Sequence, residues 1–243
     1  MFNFMRQFLS TLKNVCFPII CCSCGKFVDS EGLCPECWKH IKWIEDPKCR
    51  ICGTPFEIDI DTICPVCIRQ KPHFDKAISV FEYDDFSKNI VLKFKHVDAT
   101  YMSRQLAAWI YRVSKGDLKN SNIIIPVPIH FLKRLKRKYN QSELLAQELS
   151  KFSGIVYEPR ILQKIKHTSQ QEGLSRNIRL KNVRGSFGVA PKYSHLLSRK
   201  NVVLIDDVLT TGATANECSK ILKKYGAATV VVLTVARVNI HPS

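Results

Sequence analysis

Val202-Val203-Leu204-Ile205-Asp206-Asp207-Val208-Leu209-Thr210-Thr211-Gly212-Ala213-Thr214 is the stretch around which this chain is organised. Val202 to Ile205 predict a buried parallel strand. Two adjacent carboxylates close that strand. A short loop of hydroxyls and one glycine follows. A helix comes next, with Cys218, Ile221, Leu222 and Tyr225 on one face. A strand that feeds a helix through such a loop presents backbone N–H groups to an anion. Thr210, Thr211 and Thr214 add hydroxyl donors, and Gly212 lets the backbone come close. The two carboxylates repel a phosphate, so their partners are hydroxyls or a cation. The order therefore points to a sugar phosphate: acids on the ring hydroxyls, loop on the phosphate. Helix capping explains the acids and threonines one at a time, but not their order.

The stretch resembles the PRPP signature of type I phosphoribosyltransferases: four apolar residues, two acids, two variable residues, then Thr-Thr-Gly-x-Thr. Every position matches. The resemblance implies that Asp206 and Asp207 hold the ribose hydroxyls. It assigns the 5′-phosphate to Thr210, Thr211, Gly212, Ala213 and Thr214.

Further out, Ala228 to Ala236 reads as a second buried strand, which makes a parallel strand–helix–strand unit. Asn122 to Val127 is another strand, stopped by Pro126 and Pro128. Behind it comes Lys133-Arg134-Leu135-Lys136-Arg137-Lys138, flanked by Phe131 and Tyr139. A basic run at a strand end lies where α/β folds put ligands, and aromatics beside Lys and Arg suit stacked single-stranded bases. A helix follows from Ser142 to Lys151, with Leu144, Leu145 and Leu149 inward. Upstream, Ala77 to Tyr83 predicts a strand, Asp84-Asp85 a helix cap, and Ala99 to Val113 a helix burying Leu106, Trp109, Ile110 and Val113. Lys164 to Arg179 is polar, basic and long, as a lid over a phosphate site would be. Lys166 and Arg179, with Lys133, Arg134, Lys136, Arg137 and Lys138, are the candidate contacts to pyrophosphate or nucleic acid.

The N-terminal part holds an internal repeat. Cys21-x-x-Cys24-Gly25 precedes Cys34-Pro35-x-Cys37, and Cys49-x-x-Cys52-Gly53 precedes Cys64-Pro65-x-Cys67. Paired CxxC knuckles supply four thiolates in a tetrahedron, the set that suits structural zinc. Sequential pairing gives Cys21, Cys24, Cys34 and Cys37 one zinc and Cys49, Cys52, Cys64 and Cys67 the other. Crossed pairing also satisfies the spacing. Ile68 to Lys76 reads as a linker, and His73 as a surface residue.

The net charge is +16. Residues 1–75 hold nine Lys/Arg and nine Asp/Glu, so the excess lies in residues 76–243. A basic domain of that size suits a pyrophosphate-bearing substrate and, beyond it, nucleic acid. No apolar run reaches the roughly 20 residues of a membrane span. The first 15 residues suit an amphipathic helix better than a signal core, so the expected compartment is the cytoplasm.

Together these features resemble the ComF family of competence proteins, which joins a double zinc ribbon to a phosphoribosyltransferase-like domain. The marks are the cysteine repeat, Ile125-Pro126-Val127-Pro128, Tyr139-Asn140-Gln141, Glu143-Leu144-Leu145-Ala146, Thr168 with Gln171 and Leu174, Arg179 with Asn182, Gly185 with Phe187, and the signature. The chain departs from the family where Arg137-Lys138-Tyr139-Asn140-Gln141 replaces Arg-Gly-Phe-Asn-Gln, and where Lys164 and Lys166 replace arginines. Lys does not reproduce the bidentate contact of Arg with phosphate. The resemblance implies an α/β parallel-sheet phosphoribosyltransferase fold behind a small double zinc ribbon. The expected limits are 1–15 for the N-terminal helix, 16–70 for the ribbons and 77–243 for the α/β domain. It further implies two structural Zn²⁺, PRPP with Mg²⁺, single-stranded DNA as a partner, and a place in competence DNA uptake. One expectation is a PRPP-binding module whose basic face carries single-stranded DNA. The alternative is a phosphoribosyltransferase acting on a nucleobase or amine with no DNA role. No catalytic base stands out in the sequence.

Overall fold

The computed structural model of the 243-residue chain describes residues 19–57, 62–95, 100–129, 139–166 and 183–239. Each Cys-Pro-x-Cys element opens a one-turn helix, α1 (Pro35–Lys39) and α2 (Pro65–Arg69). Proline stands at the first helical position, where its missing N–H costs nothing. Strand β1 (Lys76–Glu82) leads into helix α3 (Lys88–Phe94). Asp84 accepts from the N–H groups of Phe86 and Ser87 at 3.1 and 2.8 Å, so it fastens the turn into that helix. Asp85 is exposed and pairs with Lys88.

Helix α4 (Met102–Leu118) buries Met102, Leu106, Trp109, Ile110 and Leu118. Val113, expected in that stripe, is exposed, because the stripe continues through Ile110, Ser114 and Leu118 at four-residue steps that pass it by. Strand β2 (Ile123–Pro126) is wholly buried. Helix α5 (Gln141–Ser153) starts at Asn140, whose side chain accepts from Ser142 N–H, and ends at Gly154 in the left-handed region. Two short strands follow, β3 (Val156–Tyr157) and β4 (Leu162–Lys164). β4 pairs antiparallel with β5 (Phe187–Val189). A 3₁₀ turn at Pro191–Leu197 leads to β6 (Asn201–Leu209), helix α6 (Ala213–Lys224) and β7 (Thr229–Arg237).

Five strands form one parallel sheet in the order β1-β7-β6-β2-β3. β6 lies between two apolar neighbours, which is why Val202 to Ile205 carry no polar residue. The strand does not stop at the acids. Asp206 pairs with Thr234, and the ladder runs on to Leu209 opposite Arg237.

By packing, the chain divides into two compact units, Met1–Ile41 and Lys42–Ser243. The first cysteine group lies in the first unit and the second group in the unit that contains the sheet. Residues 68–76 are not a free linker. α2 takes in Ile68 and Arg69, and Phe74 is buried. Asp75 brackets Val230, donating its N–H to the carbonyl at 2.9 Å and accepting from the Val230 N–H at 2.7 Å. His73 is exposed. Among the described residues, no helix is long and apolar enough to cross a membrane.

Candidate functional site

The candidate phosphate loop runs from the end of β6 into α6. Gly212 caps α6 with φ of 75°, a left-handed conformation that a side chain would strain. Thr211 Oγ1 accepts from Ala213 N–H at 3.4 Å. The first-turn N–H groups of a twelve-residue helix thus follow Thr210 and Thr211 directly, the arrangement that receives a phosphate.

The two acids lie within β6, two residues before its end, both half-buried. Asp206 Oδ1 accepts from Ser142 Oγ at 3.2 Å and from Asp207 N–H at 3.0 Å. Asp207 Oδ1 accepts from Val208 N–H at 2.7 Å, and its other oxygen lies 3.5 Å from Lys95 Nζ. Burial, and then the charge of Asp207, push the Asp206 carboxyl up to about 8. Lys95 balances one carboxylate, and the second carboxyl keeps its proton until a cation takes that place.

Ser142 and Lys95 were not legible as site residues. Ser142 reads as a helix start and Lys95 as one cation among several. Folding brings them to the acids from α5 and from the C-terminus of α3. Asn140 holds the start of α5 by donating from Nδ2 to the Val127 carbonyl at 3.0 Å. Gln141 is buried, and its Nε2 has no hydrogen-bond partner among the described residues. Lys166 is exposed. Lys133, Arg134, Lys136, Arg137, Lys138 and Arg179, with the N-terminal 15 residues, lie outside the described residues.

The cysteines fall into two groups, Cys21, Cys24, Cys34 and Cys37, and Cys49, Cys52, Cys64 and Cys67. Within each group the sulfurs lie within 4.8 Å of one another. The pairing is thus sequential rather than crossed. Cys24 and Cys34 sulfurs are 3.8 Å apart, and those of Cys52 and Cys64 3.6 Å. Four thiolates about 2.3 Å from one tetrahedral ion stand roughly 3.8 Å from each other, so both donor sets fit structural zinc.

The second group is joined to the sheet. Ala77 N–H donates to the Ile51 carbonyl at 2.7 Å. Arg237, at the end of β7 and 1% exposed, donates to the Cys52 carbonyl at 2.5 Å and to Thr54 Oγ1. It also reaches Cys52 Sγ at 3.5 Å. A hydrogen bond with Cys49 and the Arg237 charge outweigh burial and bring the Cys52 thiol down to about 6. Nothing in the sequence marks Arg237 beyond its being the one charge that ends an apolar run.

A cleft lined by Cys52, Thr54, Cys64 and Cys67 opens at the second cysteine group and reaches Thr210 to Gly212. One wall carries Val66, Gln70 and Pro72; the other carries Leu209 to Gly212 and Asn216; Arg237 also lines it.

A family model described as double zinc ribbon domain matches residues 12–70. Competence protein F of Haemophilus influenzae is 34% identical over 226 residues, covering 91% of this chain and 97% of that protein. DNA utilization protein YhgH of Salmonella typhimurium is 27% identical over 212 residues, covering 85% and 90%. Among solved structures, the glutamine PRPP amidotransferase from B. subtilis aligns at 19% identity with a TM-score of 0.36. That alignment covers 62% of this chain and 28% of the other, so the chain spans little more than a quarter of its length. The parallel sheet with its Asp-Asp loop, the paired cysteine groups and the near full-length match to Competence protein F lead to one assignment: the chain belongs to the ComF family of competence proteins.

Proposed function

We propose that this protein binds PRPP with Mg²⁺ at the end of β6 and handles single-stranded DNA during natural transformation. The observation that carries the ligand half is the pair Asp206–Asp207 in β6 beside a helix-opening loop, close enough that the second carboxyl ionises only with a cation beside it. Two carboxylates and one ammonium suit a hard cation, which carboxylates and substrate phosphates hold together. Asp206 and Asp207 accept from the ribose hydroxyls and face the cation. Thr210, Thr211 and the N–H groups opening α6 take the 5′-phosphate. Mg²⁺ supplies charge neutralisation of the pyrophosphate. Lys95 holds Asp207 in place, and Gln141 Nε2 adds an unpartnered donor at the start of α5.

The DNA half is supported by the net charge of +16, carried by residues 76–243, and by relatives named for competence and DNA utilization. The basic run Lys133 to Lys138 and the Lys164–Arg179 segment supply the cations. If about five phosphates are neutralised, log K falls with log salt at a slope of about −3.5 on single strands.

The test is a thermal-shift titration with PRPP and Mg²⁺ on wild type and Asp207→Asn. A saturable rise in Tm that the variant loses supports the site. No rise in either protein overturns it. For DNA, Lys136→Glu with Arg137→Glu weakens single-strand retention and leaves the PRPP shift intact; a salt-independent retention overturns that half.

A further inference from the structure

The end of α3 and the start of α5 meet at the acids. Lys95 Nζ, at the C-terminus of α3, lies 3.5 Å from Asp207 Oδ2, and both side chains are mostly buried. The Lys95 backbone is fixed as well. Its N–H donates to the Leu92 and Val91 carbonyls at 3.0 and 3.2 Å. Beside it, the buried Phe94 accepts at its carbonyl from the Tyr139 hydroxyl at 3.0 Å. Tyr139 stands directly before Asn140, which caps α5 and is tied to Val127, and Ser142 of the same turn reaches Asp206. Tyr139 replaces the usual Phe of the family pattern, and only its hydroxyl can make the bond to Phe94. Lys95 is therefore a charge held in place from two sides, not a wandering surface lysine.

Among the described residues, Lys95 is the cation in ion-pair contact with the acids. It takes one oxygen of Asp207, and Val208 N–H takes the other. Asp206 uses one oxygen for Ser142 and the Asp207 N–H; its other oxygen has no printed partner among the described residues. A divalent ion that arrives alone thus finds one carboxylate already paired and an ammonium beside it. Mg²⁺ binds through one or two carboxylates together with substrate phosphates. An ion that arrives with a diphosphate brings the oxyanions that offset its repulsion from Lys95.

We propose that Lys95, held by Tyr139, makes this site take a divalent cation only together with an anionic sugar diphosphate, and refuse the free ion. Lys95 is then a specificity residue, and the ligand class is a metal–diphosphate complex rather than a bare metal. This rests on the sugar-phosphate role of the site proposed above.

The experiment measures two affinities of the zinc-loaded full chain: Mn²⁺ alone by titration calorimetry, and PRPP in a fixed excess of Mn²⁺ by thermal shift. In Lys95→Met, Mn²⁺ alone is expected to bind about tenfold more tightly than in wild type. With the metal bound, the variant site carries one positive charge less, so the PRPP concentration for half-maximal shift rises about tenfold. Lys95→Arg restores the charge and keeps the wild-type order of both affinities. Tyr139→Phe keeps the charge and releases the tie, so both affinities move the same way as in Lys95→Met by a smaller factor. A merely structural lesion weakens both affinities together and does not move them in opposite directions. Free Mn²⁺ binding that is unchanged or weaker in Lys95→Met, with PRPP still shifting wild type, overturns this inference alone. Tyr139→Phe equal to wild type overturns the part given to Tyr139. Absence of a PRPP shift in wild type overturns both this inference and the sugar-phosphate reading.

Discussion

The two cysteine groups share one motif and live in different surroundings. In the first, Cys24 is exposed, and the group belongs to the small unit Met1–Ile41. In the second, all four cysteines are buried and belong to the core cluster of the unit that contains the sheet. β1 bonds to its knuckle, Arg237 reaches it from β7, and its wall faces the phosphate loop. A repeated sequence element thus serves once as a self-contained staple and once as part of the α/β body. The motif specifies four sulfurs around an ion; what packs against them decides whether the group also ties the sheet.

The comparison is broken most severely by removing one ligand from each group. Cys64→Ser is expected to lower the main unfolding transition by 10 °C or more, on the order of several kcal/mol, and to abolish the PRPP shift. Cys24→Ser is expected to lower zinc content from two to one per chain while the main transition and the PRPP shift stay in place. Calorimetry with zinc analysis checks both, and equal damage from the two variants contradicts the difference drawn here.

Arg237→Met comes next. It leaves a buried thiolate group without its neighbouring cation and strips partners from Thr54 and the Cys52 carbonyl. A loss of about 3–5 kcal/mol is expected, as for other buried charge pairs broken on one side. Arg237→Lys restores the charge but not the fork, so its stability falls between wild type and Arg237→Met. The measurement is denaturant unfolding in excess zinc.

The knuckle glycines sharpen the contrast further. Gly25 and Gly53 have φ of +78° and +71°. A Cβ at Gly25 meets nothing within 4 Å, whereas at Gly53 it meets the Ala77 carbonyl oxygen at 2.7 Å. Gly25→Ala therefore costs the left-handed strain alone, about 1–2 kcal/mol. Gly53→Ala costs more, because backbone of β1 must move. Unfolding of the two single variants gives the difference directly.

The smallest effect concerns the acids. Asp206 titrates near 8 in the fold, against 3.8 for an ordinary carboxyl. The folded state holds this proton more tightly than the unfolded state does. Its contribution to stability is full below the ordinary value and is lost as pH rises through 8. Asp206→Asn removes that loss. Its Tm is expected to exceed wild type by roughly 2–6 °C at pH 9, with a smaller margin at pH 5. PRPP with Mg²⁺ no longer stabilises it. A constant margin across pH contradicts the raised titration.

The signature was legible because a phosphate loop needs its strand, acids, hydroxyls and glycine in one order along a short segment. The paired CxxC knuckles were legible for the same reason: each turn supplies two ligands locally. Strands β1, β2, β6 and β7 and helices α3 to α6 also followed from periodicity, with ends off by a few residues at α4 and β6; β3, β4, β5, α1 and α2 are too short to show a period, and Lys164, read as the start of a lid, ends β4. At α4 the helix runs on to Leu118, because a buried leucine there closes the stripe. At β6 pairing with β7 carries the strand past two acids that local propensity would have placed in a loop.

What the sequence by itself determined was the chemistry carried by contiguous segments: two four-cysteine donor sets and a Thr-Thr-Gly loop behind two acids. Only the tertiary structure decided which partners reach them. Ser142 and Lys95 meet the acids, Arg237 meets Cys52 from 185 residues away, and the second cysteine group is bonded to the sheet. The physical reason is that backbone order is set by local propensity and spacing, whereas charge compensation and cleft walls depend on which strands lie side by side.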